Sequence, residues 1–449
     1  MQIPLLSGIK GELERSYPLN LEPVIVDTKI SKGRLKSTAG TTAFGTGPGV
    51  DRGGIEWQSQ LYRVMGTKLV LVGSGGAVTV LGDVGGTGPC GFDIGFDRVA
   101  INSGTSLYYW DGVSLTQVTD IDLGPVIDMM WIDGYYMTTD GTSIVVTELA
   151  DPTSVMPLKY GSAEEDPDMV TGLIKFRNEA YAIGRNTIQV FQNVGGNGFP
   201  FATLQGATIP FGCVSASAKC LYSESFAFVG SARNEALGVY GAGQGTAAKI
   251  STREVDDALA REQDPTAIIL ENRAYLGEDR LLVHLANETW CYAAEASKAA
   301  GEYVWFRLGT NGPYRPRNAV LCYGKWIVGD LSSEALGLLD DSVSEHFGIE
   351  PAWGFDCGLL YNQARGAIIH AVELIGLAGR GGTAFLSMTR DGLTYSVERS
   401  ISLGLLGQRN KRMQWRPGSK FSNWLGLRFR GYGKVSFAAC EAEIEGLSA

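Results

Sequence analysis

The stretch "TRDGLTYS", Thr389 to Ser396, sets Asp391, Gly392, Thr394 and Tyr395 close together. A carboxylate beside a phenol is a pairing that glycan hydrolysis can use, as acid/base group and nucleophile. Cleavage of an acidic sugar would also need a second acid to activate the tyrosine and an arginine cluster to grip the substrate carboxylate. The same four residues have a simpler use. The Asp side chain accepts backbone N–H groups, the Gly supplies positive φ, and the aromatic ring anchors a hairpin. No Arg-Ile-Pro segment accompanies the stretch, and most arginines lie outside the short apolar strands that would wall a site. The reading is therefore a structural turn, with no catalytic residue.

Other chemistries fare no better. "VGSGGAV" and "GTGPG" are glycine-rich but lack the Lys-Ser/Thr and following helix of a phosphate-cradling loop. The three histidines, His284, His346 and His370, are far apart. The seven cysteines form no C-x-x-C pair, so neither a metal site nor a disulfide framework is expected. No cofactor is assigned.

The elements that would carry these residues are strands. With 449 residues, 60 of them Gly, and only 19% charged, the chain suits short apolar strands joined by tight turns. An apolar strand, a polar turn and a second alternating strand recur seven times, from "QLYRVMGTKLVLVG" to "NAVLCYGKWIVGDLSSEALGLLD". The spacing of roughly 35 to 50 residues is that of propeller blades. A period of two puts Val99 with Ile101, and Ala180 with Ala182, on one face. "STREVDDALAR" predicts one helix, with Ser251 and Glu254 as a capping box and Val255 and Leu259 facing inward. "GSAEEDPDM" reads as an acidic solvated connector.

After about Pro351 the repeat gives way to strands such as "AIIHAVELIGLAG" and "NWLGLRFRG", spaced as in an antiparallel sandwich. The expected fold is all-β: an N-terminal arm over 1–22, a propeller of seven or six blades over 23–350, and a β-sandwich over 351–449. "VIVDTKI" is a candidate strand for closing the ring. The start lacks a secretory pattern and no run reaches the roughly 18 apolar residues of a membrane span, so a soluble, unsecreted protein is expected.

Several segments, in order, resemble the tail hub proteins of short-tailed bacteriophages, the packaged DNA stabilisation or tail accessory factor family. They are "ISKGRLKSTAG", "AIGRNTIQVFQNVG", "YGKWIVGD" with "LGLLD", and "LSMTRDGLTYSVERSISLGLLGQRNKRMQWRPGS". Departures from the family pattern are Ala39 where Pro is usual and Gln189 in place of an acid. The resemblance implies a structural virion protein in the tail, assembled in the host cytoplasm as a homohexameric ring below the portal and its adaptor ring. It also implies contacts with a tail needle and tailspikes, and a channel through which double-stranded DNA passes without sequence-specific binding. The alternative is a glycan- or receptor-binding propeller of sialidase-like fold, with or without glycosidase activity. Its sugar platform would be Tyr108, Tyr109 and Trp110, residues that can equally fill a seam between blades.

Between Ser400 and Cys440 there is no acidic residue, while Arg409, Lys411, Arg412, Arg416, Lys420, Arg428, Arg430 and Lys434 are basic. This one-signed segment is the candidate contact for an acidic subunit or for DNA. The formal net charge of -10 weighs against a strong grip on DNA.

Overall fold

The computed structural model describes the chain except residues 1, 4, 6–7, 11–13, 27–28, 150, 164–167, 244, 364 and 448–449. Residues 164–167 of the acidic connector therefore lie outside the described residues. Among the described residues, seven antiparallel sheets follow one another from Asp51 to Asp340, one to each recurring copy. The first strands of successive blades, beginning with Asp51–Trp57, Cys90–Ile94 and Asp128–Ile132, lie side by side around the axis. The seventh blade borrows its outermost strand, Gly40–Thr46, from near the N-terminus, paired with Ala335–Asp340. That pairing closes the ring, so "VIVDTKI" is not the closing strand.

The second strands of the blades are buried on both faces, which is why their sequences read as apolar runs. Val99 and Ile101 pack with Trp57, Tyr62 and Trp110 in the seam between blades one and two. Ala100, between them, turns the other way into the seam with Met129 and Tyr136. Ala180 and Ala182 share the seam of blades three and four with Met130 and Ile132. Tyr109 stacks near Tyr136, ring centroids 4.8 Å apart, and Trp110 lies 6.3 Å from Tyr62. The candidate sugar platform is thus seam filling, with Tyr108 partly buried beside it.

The predicted helix forms over Arg253–Ala260, with Val255 and Leu259 buried. Its capping box does not form. Ser251 Oγ donates instead to Asp256 Oδ1 (2.6 Å) and accepts Val239 N (3.0 Å), while Glu254 accepts from Tyr17 Oη (3.2 Å). The N-cap is Thr252, without a side-chain cap bond. A second short helix, Ala294–Ala300, ends at Gly301 with φ +71°, a left-handed position that suits glycine.

The C-terminal domain is two facing sheets. One orders Leu21–Val24, Arg34–Ser37, Ser436–Gly446, Ala367–Gly376 and Met413–Trp415; the other orders Trp353–Asp356, Trp424–Tyr432, Thr383–Thr389 and Arg399–Ser402. Between them lies a core built on Trp353, Phe355, Trp415, Phe429 and Phe437. The propeller is expected to begin at residue 23, yet Leu21–Val24 and Arg34–Ser37 pair in the sandwich. Two strands in sequence carry no label of the distant sheet they join.

A wedge of residues 16–22 joins the two domains. Leu19 bridges Gly354 of the sandwich and Arg307 of blade six. Asn20 Nδ2 donates to Gly309 O (3.0 Å) and Ala352 O (2.8 Å), and its Oδ1 accepts Gly309 N (3.0 Å). Buried Glu22 meets Arg280 of blade six at 2.7 Å.

Candidate assembly surface

Asp391 has the geometry of a hairpin turn. Its Oδ1 accepts Leu393 N (2.9 Å) and Thr394 N (2.8 Å), and its Oδ2 accepts Thr394 Oγ1 (2.5 Å). Gly392 follows at φ +80°. Bonds from the Thr394 hydroxyl and backbone hold the Asp391 carboxyl well below the usual range. The same turn recurs at Asp111, which accepts Val113 N and Ser114 N, and at Asp140, which accepts Thr142 N and Ser143 N. Gly112 and Gly141 stand at φ +96° and +95°. A motif used three times, in propeller and sandwich alike, is a way of closing hairpins. Tyr395 completes it as a platform, with the Arg428 guanidinium 3.6 Å from its ring centre.

The acid-free segment is not acid-free in space. Antiparallel partners bring carboxylates from elsewhere: Arg412 pairs with Glu373, Arg428 with Asp356, Arg430 with Glu398, and Lys434 with Asp341. Lys434 is buried and also donates to Val343 O (3.2 Å). These four candidates, half of the eight, are therefore engaged inside the chain. Sequence spacing cannot reveal such pairings, because each partner lies on another strand or loop.

Arg409, Lys411, Arg416 and Lys420 remain exposed, without an ion pair among the described residues. Two arginines outside the segment join them. Arg399 Nη1 donates to Arg416 O (3.2 Å), and Arg390 Nη2 donates to Lys420 O (2.8 Å) and Ser419 Oγ (3.3 Å). Arg390, Arg399, Arg416 and Lys420 thus form one basic ridge. Val397, 90% exposed, and Leu393, 69% exposed, lie on the adjoining loop, while Leu405 and Leu406 protrude from the loop that carries Arg409. Scattered exposed apolar residues are ordinary; apolar tips interleaved with unpaired cations suit a protein partner, Glu398 being held by Arg430 and Asp391 by its own turn.

The family model described as Bacteriophage P22 Gp10, beta-propeller matches residues 1–344. Its companion, Bacteriophage P22 Gp10, beta-sandwich, matches residues 352–445. The chain belongs to the phage P22 Gp10 family. The tail hub protein gp10 of Salmonella phage P22 is 25% identical over 488 residues, covering 99% of each chain. Similar solved structures include the N-terminal domain of Nup159, with TM-score 0.43 and 9% identity over 74% of this chain and 99% of that one. Another is the Pan2 WD40 domain of Neurospora crassa, with TM-score 0.43 and 10% identity over 68% and 96%. Gp10 membership gives the expected all-β architecture its place: a structural tail hub, part of a phage tail. No helix among the described residues is long and apolar enough to cross a membrane.

Proposed function

We propose that this Gp10-family chain works without catalysis, as a homohexameric hub seated below a portal adaptor ring and bearing a needle and tailspikes. Assembly takes place in the host cytoplasm, and the ring holds the genome in until ejection. The single observation that carries the docking part is the basic ridge of Arg390, Arg399, Arg416 and Lys420, flanked by exposed Leu393 and Val397. Arg409 and Lys411 extend it on the neighbouring loop. An acidic face of another tail subunit is its complement, because desolvated opposite charges fix register and exclude wrong partners.

The same chemistry argues for where DNA runs. Asp128 of blade three reaches Lys219 of blade five at 2.7 Å, passing over Gly172 of blade four, where a Cβ would come 2.6 Å from Lys219 Cε. Inner-strand charge is here spent between neighbouring blades rather than left to hold phosphate. The conduit on this reading is the hole at the centre of the ring of subunits, and the two domains, about 40–349 and 351–449 with residues 19–37, form its wall as one body. A net charge of -10 leaves that wall weakly adhesive to phosphate. Negative-stain imaging of the purified chain mixed with adaptor rings tests the reading. Ring-on-ring complexes are expected; a monomeric propeller that ignores adaptors and turns over a polysaccharide would overturn it.

A further inference from the structure

Where blade six meets blade seven, a buried cluster holds unequal charge. Glu271 Oε1 accepts Arg273 Nη2 (2.7 Å), Arg273 Nε (3.1 Å) and Ala319 N (3.2 Å), and its Oε2 accepts Asn318 N (2.9 Å). Arg273 spends its remaining nitrogen, Nη1, on Tyr314 Oη (3.0 Å). His284 Nε2 sits 3.2 Å from Glu271 Oε2, yet burial and the Arg317 charge outweigh that contact and lower it to about 3, leaving it neutral. The one carboxylate is thus taken up by Arg273, in a cluster that holds two guanidiniums. The second, Arg317, is 9% exposed; its Nε donates to Tyr314 O (3.1 Å), and its Nη atoms have no partner among the described residues.

Arg317 lines a cavity of about 450 Å³ at the ends of the inner strands of blades one, six and seven. Val50, Pro89, Ile269 and Leu331 give it apolar walls. Arg52 adds a second guanidinium bound only to neutral oxygens: Gly88 O (2.6 Å), Gly85 O (2.7 Å), Gly66 O (3.0 Å) and Ser103 Oγ (2.9 Å). Asp51 also lines the cavity but is committed, to Arg63 at 2.7 and 2.8 Å and to Asn318 Nδ2 at 2.8 Å. Two cations therefore share a mostly apolar chamber with no free anion among the described residues, inside a chain of net charge -10. A buried charge without a counter-charge is destabilising, and a guanidinium fork matches a planar carboxylate.

We propose that this cavity binds a carboxylate on a short aliphatic stem, the carboxylate on Arg317 and the stem against Val50, Ile269 and Leu331. The volume is of the size that small ligands occupy. A hydrated phosphodiester would meet apolar walls on most sides, so the site is distinct in kind from one for DNA. The stem and head can belong to a free aliphatic acid or to an acidic side chain offered by a neighbouring tail subunit.

The test is calorimetric and thermal titration of the full chain with hexanoate, with 1-hexanol as the uncharged control at fixed ionic strength. Saturable binding of one hexanoate per chain and a rise in Tm with concentration are expected, with no response to hexanol. Arg317→Gln should weaken binding at least tenfold, and Arg317→Lys should weaken it less. Ligand-free Arg317→Met should melt no lower than the parent, since it removes an unpaired cation, and this checks that the fold survives. Equal hexanoate affinity in Arg317→Gln, or no saturable response in the parent, overturns the proposal. Repeating the titration on assembled tails separates the sources. Lost binding there means a neighbour's acidic side chain fills the seat, and retained binding means a free acid does.

Discussion

Asp51 and Arg63 are both buried, and their two contacts, at 2.7 and 2.8 Å, neutralise charges that water cannot reach. Asp51→Ala would strand the Arg63 guanidinium, at a cost of about 3–5 kcal/mol. Urea denaturation should show that loss, and an unchanged midpoint would contradict the assigned role. The buried histidines make a second prediction. Burial pushes His284 and His346 down to about 3, the latter helped by Arg273 and Arg315. Both bind protons more weakly folded than unfolded, where the value is about 6.5. Their contribution is therefore complete above about pH 6.5 and is lost as pH falls toward 3. At pH 5 each should cost on the order of 2 kcal/mol relative to neutral pH. Denaturation midpoints at pH 7.5 and 5.0 should fall apart for the parent, and the gap should narrow but not close in His346→Asn, since His284 still titrates. At this scale the sequence was legible where function is local: Asp391, Gly392 and Thr394 could be read as a turn because its bonds span a few residues. Glu271, Arg273 and Arg317 could not be read as a cluster, since blade neighbours bring them together.

Strands were legible because blade seams impose alternation on residues such as Val99, Ala100 and Ile101. The inner strand Asp51–Trp57 was not. Its Gly53 and Gly54 and a register shift beside Asp51 break the pattern. Carboxylates on inner strands tie each blade to the next: Asp93 accepts Trp131 N (2.6 Å) and Asp128 accepts Leu173 N (2.7 Å), the latter beside a register shift at Gly172. The N-terminal wedge is the other element that sequence hides. Glu22 and Arg280 are nearly buried at the seam of the two domains, so Glu22→Ala should unseat the wedge and cost about 3–5 kcal/mol through the unpaired arginine. Calorimetry should then resolve separate melting of propeller and sandwich, where the parent melts as one unit. A single unshifted transition would show that the wedge does not couple them.

At the scale of the whole molecule, residues 19–22 tie the sandwich, which carries the basic ridge, to blade six of the propeller. Charge on that ridge is exposed, so reversing it should move stability by less than about 1 kcal/mol, while like charges across an interface cost several kcal/mol. The separation of those two magnitudes makes assembly a clean readout. The eight basic residues of Ser400 to Cys440 are legible in the sequence but their pairing is not, because Arg412, Arg428 and Arg430 meet carboxylates within the sandwich and Lys434 reaches Asp341 outside it. The decisive measurement is complementation of hub-deficient phage particles with purified Arg399→Glu/Arg416→Glu/Lys420→Glu chain, scored by tail completion under the electron microscope. The account predicts that this variant melts like the parent yet fails to complete tails, whereas the parent completes them. Normal completion by the triple variant, with DNA leaking or leaving at altered speed, would contradict docking through the ridge and assign those cations to the genome channel.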